Sequence, residues 1–208
     1  MALLSQYTDF DLFFSDLFFN TNQNQFLLQG ENKSLGIMLH DYPKYLFMLL
    51  AISIWLALVS SGLFKKNFYQ SYFSTRELLF ISIASTLIPT AIWWSRELSA
   101  MHCPRELVIY GGESLYLRIL DSIPLNWENG KCSPSAHASS FIWVLSLLIV
   151  KKMKKQTWIF AYLMIFILSS VQVMRGAHFV SHIIYSIIIG QIILSILKLS
   201  FYNKSNKF

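Results

Sequence analysis

Five apolar runs, each free of Asp, Glu, Lys and Arg, divide the chain: Tyr45–Phe64, Leu78–Trp94, Pro134–Val150, Trp158–Met174 and Phe179–Leu197. Each holds about 17–20 residues, close to what a helix needs to cross a hydrocarbon layer roughly 30 Å thick. The third is the weakest, because Pro134, Ser135, His137, Ser139 and Ser140 open it. Pro89 interrupts the second, which membrane helices tolerate. Ahead of the first run, Phe10, Leu12, Phe13, Phe14, Leu17, Phe18 and Phe19 alternate with Asp9, Asp11 and Asp16. That alternation predicts an amphipathic helix lying in an interface. The same aspartates, and the lack of a basic stretch, argue against a signal peptide. A sixth crossing, or re-entry of residues 1–28, stays open. The expected fold is all-α, one domain over residues 1–208. It is a polytopic transmembrane bundle of five to six helices with an interfacial N-terminal segment (1–42), a bundle core (45–197), a long outer loop (95–133) and a cytoplasmic tail (198–208).

Composition agrees with the pattern. The chain is 54% hydrophobic and 16% aromatic, and only 13% charged. Soluble domains carry nearly twice that charge. The placement of the charges says more than their sum. One set of inter-run segments holds Lys65, Lys66, Arg76, Lys151, Lys152, Lys154, Lys155, Lys198, Lys204 and Lys207, against Glu77 alone. The other set holds the remaining 7 basic residues and 10 acidic ones. The positive-inside rule puts the lysine-rich set in the cytoplasm. The N-terminus, the 95–133 loop and the 175–179 junction then lie outside. The tryptophans near run ends read as ordinary interfacial anchors.

All five histidines (His40, His102, His137, His178, His182) fall on that outer side, with Arg96, Arg105, Arg118 and Arg175. Polar groups at the ends of packed membrane helices are costly unless paired, and they tend to be functional. Three clusters bracket the helix ends: Arg96 to Arg105, Cys132 to Ser140, and Arg175 to His182. In the second, the helix N-terminus offers amides to an anion. Arginines add bidentate donors for the same oxygens, and two histidines can serve as nucleophile and proton donor.

These residues resemble the signature of the type 2 phosphatidic acid phosphatases: K-x(6)-R-P, then P-S-G-H, then S-R-x(5)-H-x(3)-D. Pro134-Ser135-Ala136-His137 is similar to the second part, with Ala for Gly. Arg96 and Pro104 match the first part, with Arg for Lys and Cys103 for Arg. His178 matches the histidine of the third part, while His182 stands for its aspartate and Gln172 for its arginine. The resemblance covers about residues 45–197. It implies a membrane lipid phosphatase without cofactor or metal. His178 would attack phosphorus, His137 would protonate the leaving oxygen, and His182 would stand beside the nucleophile. Arg96 and the amides of Ser135 and Ala136 would hold the phosphate, with Arg105 and Arg175 taking the two missing arginine roles. Glu97 or Glu113 would be the carboxylates available to replace the lost aspartate.

The implied partner is a phospholipid, isoprenoid or lipid A phosphate at the outer face of a bacterial cytoplasmic membrane, and no nucleic acid. Two other readings use the same residues. One is a metal site built from His178 and His182 at i,i+4 with His102, His137 or Cys103. The other is a lipid-phosphate-binding or regulatory protein without turnover. Finally, Cys103 and Cys132 share the outer loop, and an oxidising compartment lets them pair. The expectation is a disulfide with its Cα atoms within about 7 Å.

Overall fold

The computed structural model describes residues 2–63 and 71–202. Phe64, Lys65, Lys66, Lys204 and Lys207 of the sequence reading lie outside the described residues. The described chain runs α1 (Ala2–Tyr7), α2 (Phe10–Asp16), β1 (Phe19–Asn20), β2 (Gln25–Phe26), α3 (Lys33–Leu63), α4 (Thr75–Glu97), α5 (Ala136–Ile142), α6 (Leu145–Val150), α7 (Lys155–Met174) and α8 (Val180–Tyr202). β1 and β2 form one two-stranded antiparallel hairpin; all else that is regular is helical.

Among the described residues, four helices are long and apolar enough to cross a membrane: the stretch ending in α3, then α4, α7 and α8. The expected third crossing is shorter. Residues 136–150 form a 15-residue apolar stretch, about 22 Å long at 1.5 Å per residue. Its middle is tightened by i→i+3 bonds from Val144 to Phe141 and from Ser146 to Trp143. The polar residues at its start are drawn into the protein: Ser135, His137 and Ser139 are all buried.

The N-terminal segment also departs from expectation. A single interfacial helix over 1–42 gives way to two short helices and the hairpin, and residues 33–42 are the first turns of α3. Apolar hydropathy begins later than the helix does, because Lys33, His40, Asp41 and Lys44 occupy those turns. Pro43 lies inside α3 without ending it.

α4 is central and touches α3, α5, α6 and α8. It is started by a capping box, in which the Glu77 carboxylate accepts from the Ser74 amide and Glu77 N–H donates to Ser74 Oγ. That arrangement satisfies two of the amides a helix leaves unpaired. Phe80, Ala84, Ile88 and Ile92 then recur every four residues and are fully buried, one stripe of a helix face. Trp55 of α3 donates to Thr86 of α4 at 3.0 Å. Gly190 of α8 lets Ile142 of α5 close in, since a Cβ there would sit 2.4 Å from the isoleucine methyl.

The two ends of the bundle differ chemically. At one end the Arg76 guanidinium donates to the Phe201 carbonyl and Lys151 donates to the Tyr72 carbonyl. The lysines at the α6–α7 turn belong to this basic end. The opposite end gathers the C-terminus of α4, the start of α5 and the α7–α8 junction, with the 98–135 loop and the N-terminal segment over them.

Candidate active site

The α7–α8 junction is shaped by one glycine. α7 ends in a Schellman turn: Gly176 N–H donates to the Val173 carbonyl and Ala177 N–H to that of Gln172. Gly176 holds φ +62°, the left-handed conformation such a turn demands. Its missing Cβ would also meet the Phe26 ring at 2.3 Å. The turn throws His178 back toward the bundle axis, where it is almost fully buried.

The three sequence clusters meet there. A cavity of about 270 Å³ is lined by Arg96, Arg105, Ala136, His137, Arg175 and His178, with Cys103, Ser140, Gln172 and Ala177. α3 completes it with His40 and Lys44. Each arginine is held by local bonds. Arg96 Nε donates to the Lys131 carbonyl at 2.6 Å. Arg105 is tied through its backbone amide to the Gly176 carbonyl at 2.9 Å. Arg175 leans on Gln172 Oε1 at 3.4 Å. Burial, and then the Arg105 cation, lower the Arg175 guanidinium below its ordinary value. Unpaired cations gathered this closely favour an anion between them. Arg105 and Arg175 also line an adjoining cavity that contains Lys33. A larger cavity of about 500 Å³ lies along the N-terminal hairpin and holds none of the predicted residues.

Burial first, then His182, Arg96 and Arg105, hold the His178 imidazole well below the ordinary histidine value, which favours its neutral form. Its Nδ1 lies 3.6 Å from the Cys132 sulfur. That sulfur belongs to the Cys103–Cys132 disulfide, whose Cα atoms are 5.2 Å apart, as expected. The bond fastens the first cluster to the second directly beneath the third.

Two predicted residues are placed differently. Ser135 does not line the cavity: its amide donates to the His182 carbonyl at 3.1 Å, and its hydroxyl caps α5 by accepting from Ala138 N–H. His182 is fully buried behind His178, edge-on with ring centroids 5.9 Å apart. Neither of its ring nitrogens has a hydrogen-bond partner among the described residues, so it does not orient His178 as a carboxylate would. Glu97 does not replace the aspartate either, since it pairs with Lys131 at 3.0 Å.

The histidine metal set is not assembled as predicted. His102 faces Glu106 and the Glu128 carbonyl instead. Cys103, Cys132 and His178 do bring ligand atoms within 4.8 Å of one another, but both sulfurs are bonded to each other.

Sequence reasoning missed three groups. His40 and Asp41 sit in turns of α3 that the sequence reading gives to the interfacial segment 1–42, and Lys44 falls just ahead of the bundle core at 45; a histidine–aspartate pair just ahead of an apolar run was the available signal. Gln172 was noted only as a departure, yet it is buried and lines the cavity. Asp11 of α2 reaches the start of α8, where its carboxylate accepts from Ser181 N–H at 2.9 Å and Ser181 Oγ at 2.5 Å. It caps the helix that follows His178. No local sequence pattern announces a cap supplied from 170 residues away.

The chain matches no family model, no curated protein and no solved structure.

Proposed function

We propose that this protein is a membrane-embedded phosphatase that removes phosphate from a lipid phosphate or pyrophosphate through a phosphohistidine intermediate. The observation that carries the reading is the cavity itself: three clusters far apart in sequence supply three arginines and two histidines to one small space. In this reading α3, α4, the 136–150 stretch, α7 and α8 make five membrane segments. The basic end faces the cytoplasm, and the cavity opens at the outer face of a bacterial cytoplasmic membrane.

The phosphate would sit among Arg96, Arg105 and Arg175 near the Ala136 end of α5. The His178 nitrogen attacks phosphorus, the bond to the leaving oxygen breaks, and that oxygen takes a proton from a histidine of the same cavity. Water then cleaves the phosphorus–nitrogen bond. The arginines stabilise charge that builds on the phosphoryl oxygens, and such preorganised stabilisation is usually the largest single contribution. Candidate substrates are undecaprenyl pyrophosphate, phosphatidic acid, phosphatidylglycerol phosphate and lipid A. The shared placement of Arg105 and Arg175 beside Lys33 favours a substrate with a second anionic group.

The test is phosphate release from a panel of these lipids by purified protein, with and without a chelator. Release that survives chelation and disappears in His178→Ala supports the reading; release unchanged in His178→Ala ends it. A second reading draws on one observation, the failure of His182 to hydrogen-bond His178. It makes the same cavity a phosphate-binding site without turnover. Vanadate binding without release from any lipid would favour it.

A further inference from the structure

We propose that His40, held by Asp41, is the proton donor of this site, and that His137 is the neutral ring stacked against it. The proposal rests on the phosphoryl-transfer reading. It reassigns the proton to a residue outside the three clusters.

His40 and Asp41 are neighbours on α3, and His40 Nδ1 lies 2.6 Å from Asp41 Oδ1. An ionised carboxylate only accepts hydrogen bonds, so Nδ1 carries a proton and donates it. The His40 ring stacks on His137 with centroids 4.4 Å apart and planes 20° apart. Both rings line the cavity with His178. The charged groups around His40 are Asp41 and Lys44 on its own helix and Arg175 at the end of α7, with His137 of α5 against its face.

Two imidazoles this close do not both hold a positive charge, because like charges at that separation repel strongly outside bulk water. One transferable proton therefore belongs to the pair. The partners decide which ring carries it. His40 has a carboxylate to balance an imidazolium. His137 has none, and both of its ring nitrogens are buried without a hydrogen-bond partner among the described residues. Burial, Arg175 and Lys44 oppose charge on His40, and the Asp41 carboxylate supports it. This dyad also supplies the carboxylate that His182 fails to provide, from another helix and to another ring.

The step balances. The His178 lone pair forms a bond to phosphorus, and the bond from phosphorus to the leaving oxygen breaks. That oxygen takes the Nε2 proton of His40, leaving His40 neutral with Nδ1–H still on Asp41. In the second half, water attacks phosphorus and gives a proton back to His40 Nε2. The bond between phosphorus and His178 breaks and inorganic phosphate leaves.

The experiment uses the full chain purified in detergent and compares two substrates, phosphatidic acid and 4-nitrophenyl phosphate. The first has a poor leaving group that needs the proton; the second does not. His40→Ala should lower kcat on phosphatidic acid by about 100-fold or more, in the range general acids contribute. On 4-nitrophenyl phosphate it should lose less than about 5-fold. His40→Gln keeps the polar contact with Asp41 without a transferable proton, and should show the same selectivity if the alanine variant fails to fold. Asp41→Asn should move the alkaline limb of kcat to lower pH by about one unit. His137→Phe, which keeps a ring in the stack, should affect both substrates alike. Selective loss in His137→Phe with equal loss in the His40 variants overturns the proposal.

Absence of turnover on every substrate would defeat the phosphatase reading, and the dyad is then read separately. In protein with 15N-labelled histidines, His40 should be the member of the stacked pair that becomes doubly protonated as pH falls, and Asp41→Asn should remove that preference. His137 protonating first overturns the proposal whatever the activity.

Discussion

Asp11 joins the N-terminal segment to the helix that follows His178, and its removal tests whether that joint matters. The carboxylate is buried, and it accepts from both the amide and the hydroxyl of Ser181. Hydrogen bonds to a charged group contribute about 1.5–3 kcal/mol, and a buried donor left unpaired costs about 1–3 kcal/mol. Burying the carboxylate offsets part of this. Asp11→Ala should therefore destabilise the protein by about 2–3 kcal/mol. Ser181→Ala loses only the hydroxyl contact and should cost about 1 kcal/mol. Because the two residues touch, the double variant should fall short of the sum by about 0.5 kcal/mol or more.

A pH dependence follows from the same group. Burial raises the Asp11 carboxyl above its ordinary 3.8, against the Ser181 hydrogen bonds and Arg118. Between 3.8 and the raised value, the folded protein keeps a proton that the unfolded chain releases. Stability should thus fall as pH rises through that window and level off above it. Asp11→Asn, which cannot ionise, should flatten that slope. The assay is reversible unfolding in detergent followed by circular dichroism at a series of pH values. An alanine variant within about 0.5 kcal/mol of wild type, the spread of an ordinary surface change, would refute the reasoning. So would an asparagine variant with an unchanged slope.

Three other outcomes are expected. Gly176→Ala should cost at least about 1–2 kcal/mol from the left-handed backbone alone, more because Phe26 must move, and unfolding of the variant measures it. Replacing Cys103 and Cys132 with serine should lower stability by about 3–4 kcal/mol, the chain-entropy value for a loop of roughly 30 residues; thiol labelling of the non-reduced wild type should find neither cysteine. The acid limb of kcat/KM should lie below 6.5, the ordinary histidine value, because His178 is held neutral; a limb at or above that value contradicts a depressed nucleophile.

Some of this was legible in the sequence, because hydropathy and charge report directly on long helices. α4 and α7 contain their apolar runs, α8 holds all of its run but Phe179, and the basic end collects the described lysines expected there. The meeting of Arg96, Arg105, His137, Arg175 and His178 followed from their places at helix ends on one side. The disulfide followed from two cysteines in one loop. Other features were hidden for physical reasons. α3 begins in polar residues, so hydropathy marked its apolar part and left His40, Asp41 and Lys44 outside the bundle. The 136–150 stretch reads as a crossing by composition, but its buried serines and tightened middle are tertiary matters. Ser135 fits an anion-binding pattern, yet its amide goes to His182, a partner only the folded chain supplies. His182 stands where an aspartate was expected, and spacing cannot reveal that its ring nitrogens lack a hydrogen-bond partner among the described residues.

The Cys103–Cys132 bond makes a covalent ring of the chain between residues 103 and 132. At its neck, Gly130, Lys131 and Cys132 bond back to Ala100, Ser99 and Met101. The neck lies beside His178 and fixes the carbonyl that holds Arg96. Closing a longer loop is cheap, about 0.6 kcal/mol for each doubling, and here the closure is already covalent. A change of length among the exposed residues 122–126 should therefore disturb its two ends little. Such a change leaves the neck in place, and with it the Lys131 carbonyl that holds Arg96.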